Sequence, residues 1–252
     1  NADVSITGTD VDLTSINAGT GDVTFTPATV GTAVNLGAAT GSFDLTAAEL
    51  GNVTAATVNI GRSDGTGDVN ADTLDLSGET YDVTLSGGNT TITGLQLGAN
   101  RSLTLTSSGA ITDGNTGATD ITISGGNADI NASSGIGTSG DPLEIAMATL
   151  GANTTSGGVF IDQTGNLTVQ AISGGTGDIS LDVNGDLSTS GSDISGAEIS
   201  ISLEAGQALN VNANTSITGT GNVTLEADQM TLSSAGGDGI AAGSNGTLTL
   251  QA

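Results

Sequence analysis

Gly177-Asp178-Ile179-Ser180-Leu181 joins a turn signal, Gly then Asp, to a run in which aliphatic and polar residues alternate. The same phrase returns as Gly21-Asp22-Val23-Thr24-Phe25, Gly165-Asn166-Leu167-Thr168-Val169, Gly221-Asn222-Val223-Thr224-Leu225 and Gly246-Thr247-Leu248-Thr249-Leu250. Looser copies span 81–85 and 198–201. A turn followed by period-two alternation is a β-strand with one buried face. The aliphatics Ile179, Ile199, Val223 and Leu248 follow one another at roughly 20 to 25 residues, the length of one coil of a solenoid. The reading is therefore an all-β, parallel solenoid.

Composition supports a thin core built by stacking. The 252 residues include 41 Gly but no Trp, one Tyr and three Phe, too few large side chains to fill a globular interior. A solenoid needs only columns of Val, Ile, Leu and Ala, because each coil covers the next. Two prolines in the whole chain suit continuous strand ladders, since Pro removes a ladder hydrogen bond. The expected inward column contains Val23, Ile60, Leu85, Leu105, Ile123, Val169, Ile179, Ile201, Val211 and Leu225, or their alternate neighbours. About 10 to 12 coils, with strands about 4.8 Å apart, predict a rod about 50 to 60 Å long.

The charge balance excludes several partners. Against 27 acidic residues stand two basic ones, Arg62 and Arg101, for a net charge of -25. Nucleic acid is not an expected partner, because phosphate neutralisation needs Lys and Arg. An anionic membrane surface is excluded on the same ground. Membrane insertion is not expected either, since no run of about 18 apolar residues occurs. With no cysteine, neither disulfides nor thiolate metal sites can form.

No linker or shift in composition divides the chain, so residues 1–252 read as a single β-helix segment. Ser86-Gly87-Gly88-Asn89, Ser124-Gly125-Gly126-Asn127 and Gly236-Gly237-Asp238-Gly239 read as corners between strands. Leu45-Thr46-Ala47-Ala48-Glu49-Leu50 is expected to form a single helical turn bulging from one coil, and Gly137-Thr138-Ser139-Gly140-Asp141-Pro142 a wider loop. The stretches 2–7 and 248–252 alternate like interior strands. Open strand edges need a partner, so flanking segments or neighbouring copies are expected to stack end to end.

The stretches Gly41–Leu50 leading to Ile60-Gly61-Arg62, Leu103–Asp113, Gly135–Thr138 with Asp141-Pro142-Leu143, and Gly157–Asp162 with Gly165–Val169 resemble, in that order, the repeat regions of filamentous-haemagglutinin-type large bacterial exoproteins. The resemblance covers most of the chain. It implies a right-handed parallel β-helix, export from a Gram-negative bacterium through a partner outer-membrane pore, and an extracellular or cell-surface role as an adhesin or filament. The Asn-Pro-Asn motif of that family's secretion domain does not occur here, so the resemblance places this segment in the shaft.

Catalysis finds little support in the residues. There is no His, Lys or Cys to act as base, Schiff-base amine or nucleophile. A carbohydrate-cleaving enzyme working with carboxylates alone is the remaining enzymatic reading, and the chain is expected not to be an enzyme. Calcium is the candidate ion. Asp68, Asn70, Asp72 and Glu79 match the first, third, fifth and twelfth positions of a helix-loop-helix calcium loop, but Thr73 stands where that loop requires Gly. Gly174-Gly175-Thr176-Gly177-Asp178 falls one residue short of a calcium-roll repeat. The competing reading of both segments is that Asp and Asn shape turns through their own backbone. The many Asn-x-Ser/Thr sequences, Asn131 and Asn153 among them, are expected in part to stack between coils. The sequence thus favours a structural shaft. A binding module that docks a host or cell-surface glycan on a Thr/Asn lattice is the alternative, and a carbohydrate-active enzyme a distant third.

Overall fold

The computed structural model describes residues 1–38, 40–203, 207–233 and 238–252; Gly236 and Gly237 of the last expected corner lie outside them. The chain is nearly all parallel β-structure, wound into a solenoid of about 11 turns. One column runs through it: Ile6, Phe25, Ile60, Leu85, Leu105, Ile130, Ala152, Ile172, Ile194, Ile217 and Ile240, each the ladder partner of the next. A second column contains Val34, Val69, Thr90, Ile111, Ile136, Val159, Ile179, Ile199, Val223 and Leu248. A third begins with Leu74, Leu95, Ile121 and Ile145.

Alternation explains why these residues face inward. Successive side chains of a strand point to opposite faces, and parallel pairing in register puts the apolar set of every coil on the same side, with local register shifts between Ile123 and Asn127 and between Leu150 and Ala152. All ten residues expected in the inward column are buried, none more than 3 % exposed. Each buried aliphatic of this size contributes about 1.5–3 kcal/mol relative to exposure. Aromatic side chains take part as filling: Phe25, Phe43 and Tyr81 are fully buried.

Ladder partners one coil apart are separated by 18 to 26 residues, except at the second coil, where the step is 35 to 37. The long step accommodates an excursion. After the strand Val34–Gly37 the chain forms a second short strand, Phe43–Leu45, which pairs in parallel with the first on the side away from Val69–Asp72. A segment of the second coil thereby completes a face of the first. The four-residue helix Ala47–Leu50 follows, and its start is a capping box. The Glu49 amide donates to Thr46 Oγ1 (3.2 Å) and the Thr46 amide donates to Glu49 Oε2 (2.9 Å). Two bonds tie the excursion to coils on either side: Leu13 N–H donates to Glu49 Oε1 (3.3 Å), and the Tyr81 hydroxyl donates to the Leu50 carbonyl (3.2 Å). The Gly137–Pro142 stretch is narrower than expected, closing as a tight turn between Thr138 and Asp141.

The residue at or just before the start of several strands carries a recurring interaction. In a parallel ladder the amide of that residue lies one step short of the first backbone acceptor, so a side chain of the preceding coil supplies one. Asp3 Oδ1 accepts from the Asp22 amide, Asp82 Oδ1 from Ser102, Asn166 Oδ1 from Asp186, Asp178 Oδ1 from Glu198, Asp186 Oδ1 from Ala208, Asp193 Oδ1 from Ser216 and Asn222 Oδ1 from Thr247, all at 2.8–3.2 Å. This is why Asp or Asn precedes the first aliphatic of the repeated phrase. Asparagines also stack between coils, Asn70 Nδ2 donating to buried Asn35 Oδ1 (3.1 Å) and Asn153 Nδ2 to Asn131 Oδ1 (3.2 Å).

Two substitutions test this account. Replacing Asp186 by Ala leaves the Ala208 amide without its acceptor and should lower stability by about 1–2 kcal/mol, whereas Asp186→Asn should stay within about 0.5 kcal/mol of the parent. Equal urea midpoints for Ala and Asn variants would refute the corner role. Thr90 is fully buried between Val69 and Ile111, and its Oγ1 has no hydrogen-bond partner. Thr90→Val removes an unsatisfied hydroxyl at almost constant volume and should raise stability by about 1 kcal/mol. A destabilised variant in the same urea titration would show that the hydroxyl is satisfied.

Candidate functional site

Acidic side chains converge at one corner of the solenoid. Asp113 ends the strand Ile111–Asp113, Asp120 precedes the strand Ile121–Ala132, and Glu144 is the second residue of Leu143–Thr154. The ladder sets Ile121 against Ile145, so Asp120 and Glu144 occupy the same position on consecutive coils. One carboxylate oxygen from each of Asp113, Asp120 and Glu144 lies within 4.8 Å of the others, with the carboxylates of Asp113 and Asp120 buried and that of Glu144 half-buried.

The loop between Asp113 and Asp120 is shaped by Asn115. Its amide donates to Asp113 Oδ1 (2.6 Å), its Oδ1 accepts from Ala118 N–H (3.0 Å), and its Nδ2 donates both to Asp120 Oδ1 (2.8 Å) and to the Thr93 carbonyl (3.1 Å). Asp120 Oδ2 accepts from the Glu144 amide (3.0 Å), the corner interaction once more. These bonds fix the site but do not saturate it. Asp113 Oδ2 and Glu144 Oε2 are both sealed from solvent without a hydrogen-bond partner. Burial is the main cause that pushes the Asp120 carboxyl far above the usual carboxylate range, and the neighbouring Asp113 adds to it. Burial, with the charges of Asp113 and Asp162, also raises Glu144.

The acidic line continues along the surface. Glu144 is in register with Asp162, and Asp162 with Asp182. The three line a cleft of about 390 Å³ together with Gly117, Thr119, Gln163, Thr164 and Asn184. Burial and the Asp182 charge raise the Asp162 carboxyl. Neither arginine serves this cluster. Arg62 makes a two-bond pair with Asp64 (2.8 Å each), and Arg101 lies 3.9 Å from Asp82 and donates to the Thr80 carbonyl.

The four residues singled out from linear spacing sit elsewhere. Asp68 accepts from the Asn89 amide (3.0 Å) and Asn89 Nδ2 (3.1 Å), Asn70 bonds Asn35, and Asp72 Oδ1 accepts from Thr73 Oγ1 (2.9 Å). Asn70 and Asp72 belong to the extended strand Val69–Asp72, and Thr73 turns the corner at φ +51°. Glu79 follows the strand Leu74–Leu76 near Gly51 and Tyr81, its carboxyl raised by burial. Asp178 of the Gly-rich phrase is a corner acceptor for Glu198. Asp113, Asp120 and Glu144 escape a linear search because their proximity depends on which coil stacks on which. The available signal is the 24-residue step from Asp120 to Glu144, one coil in length.

A second cleft, of about 370 Å³, is lined by Thr24, Thr26, Asn59, Arg62, Asp64, Thr84 and Ser86. Among the described residues no helix is long and apolar enough to cross a membrane. No family model matches the chain, and neither a curated protein nor a solved structure matches it.

The Asn115 hub makes a mutational prediction. Asn115→Ala removes the donor to buried Asp120 Oδ1 and should cost about 1–3 kcal/mol. Asn115→Asp removes the donor and adds a further negative charge, so its urea midpoint should fall below that of the Ala variant. The reverse order would mean that Asp120 is not held by this bond.

Proposed function

We propose that this chain is a shaft segment of a secreted or cell-surface bacterial exoprotein of the filamentous-haemagglutinin type, a stiff spacer that carries other parts away from the cell. The observation that carries the reading is the continuity of one column of ladder partners through about 11 turns. A rod in which each coil contacts only its neighbours grows in length without changing its cross-section. The residue inventory agrees: no His or Cys, and many carboxylates spent as corner acceptors. Enzymatic turnover is not part of the proposal.

Partners in this reading are further coils. Leu248 and Leu250 prolong the buried columns of Val223 and Leu225 and are 43 % and 46 % exposed. A coil laid on them, from flanking sequence or from a second copy, would cover that apolar surface. Recognition of a glycan is the second reading, favoured by the Thr/Asn-lined cleft beside Arg62. It is weakened by the burial of Phe25, Phe43 and Tyr81, which leaves Phe160, half-buried, as the one aromatic side chain within reach of a sugar.

The test is surface display. An epitope inserted between Ser139 and Gly140, in an exposed turn, should be labelled on intact producing cells, with immunogold standing off from the envelope. Label seen only after permeabilisation would overturn the proposal. New reducing ends from a polysaccharide panel, abolished by a single carboxylate substitution, would favour the enzyme reading instead.

A further inference from the structure

We infer that Asp113, Asp120 and Glu144 together bind a single calcium ion, which fastens the 113–120 corner loop to the following coil. Clustered carboxylates alone would not justify this, because acidic corners recur throughout the solenoid. What sets this corner apart is the pair of buried oxygens, Asp113 Oδ2 and Glu144 Oε2, that no backbone or side-chain amide reaches. The other corner carboxylates described above spend an oxygen on a backbone amide and stand at the surface. Here the amide bonds are already made, by Asn115 to Asp113, by Asn115 to Asp120 and by Glu144 to Asp120, and oxygens remain. Buried acceptors without partners are costly and rare in native structures, and the missing partner must suit three carboxylates at once.

The donor set selects the ion. All three side chains offer oxygen, and the chain contains no His and no Cys, which disfavours zinc and copper. Oxygen atoms within 4.8 Å of one another can converge on one cation at the 2.3–2.6 Å expected for calcium, about 2.4 Å. The remaining positions would be filled by water from the cleft along Glu144, Asp162 and Asp182. Magnesium gives up its water reluctantly and demands a stricter octahedron, so it fits less well a site whose ligands are fixed by ladder register. The charges facing the cluster are acidic too: Asp162 lies next in register to Glu144. A line of like charges focuses the field and draws cations to the cleft. The competing arrangement is that Asp120 retains a proton and no metal is needed.

The experiment is calorimetric titration of the chelator-treated protein with calcium chloride at constant ionic strength, with magnesium chloride as control, paired with melting curves. Expected are about one ion per chain, weaker magnesium binding by about tenfold or more, and a melting temperature that rises with calcium. Glu144→Gln and Asp113→Asn should each weaken calcium by about tenfold or more, while Asp186→Asn, a corner acceptor elsewhere, should leave it unchanged. Circular dichroism establishes that each variant is folded; should Asp113→Asn fail to fold, Glu144→Gln, altered on a strand face, decides alone. No saturable calcium heat, or an affinity equal in the parent and in Glu144→Gln, overturns the inference. The first result assigns the site to a retained proton and the second assigns the binding to the diffuse counterion atmosphere.

Discussion

Every property of this solenoid depends on the parallel hydrogen bond by which a residue is tied to the neighbours of its counterpart one coil away. That bond fixes lateral position, so a side chain meets the same kind of neighbour above and below. Inside the coil the rule is favourable: Ile172, Ile194 and Ile217 form one column of isoleucine. Outside, Asn on Asn and Thr on Thr supply mutual hydrogen bonds, as between Thr91 and Thr112. For carboxylates the rule is unfavourable, because like charges directly opposed repel. At many corners the chain avoids this, because an Asp turns its oxygen to the next coil's amide; the line Glu144, Asp162 and Asp182 is the exception, with carboxylates in register on successive strands.

Sequence made the architecture legible because its two periods are physical. Alternation reports which face is buried, and the coil-length step reports which strands stack. Residues such as Val23, Leu85, Leu105 and Leu225 could be assigned to the interior from alternation alone. The Leu45–Leu50 turn was also readable, since its helical character is local to the segment; the capping box between Thr46 and Glu49 emerged from the structure. Its placement was not: that Phe43–Leu45 completes the previous coil follows from the pairing with Val34–Gly37, which no local signal encodes. Gly137–Pro142 was misjudged in size because Thr138 and Asp141 bond each other across the turn.

The acidic corner was the least legible part. A calcium loop is recognised by spacing along a curled segment, and that spacing loses its meaning in an extended strand. Asn70 and Asp72 share one outer face and point the same way, whereas ligands of one ion must converge. In a solenoid convergence comes from stacking: Asp120 and Glu144 meet because they stand one coil apart, and Asp113 joins them because Asn115 folds the intervening loop. The relevant spacing is a coil length plus a loop closure, and coil lengths here vary. Reading such sites from sequence requires the columns to be aligned first.

The Ala47–Leu50 excursion has a mechanical consequence. Load applied along the axis of a solenoid acts on one row of inter-coil bonds at a time, so coils detach singly from an end, as tape lifts from a roll. Glu49 grips Leu13 in one coil, while the Leu50 carbonyl is held by Tyr81 from another. Peeling that arrives at this point must break bonds in different coils together, with Phe43, Leu45 and Leu50 exposed in the same event. The excursion therefore works as a rivet through the first coils, converting progressive peeling into a single larger step.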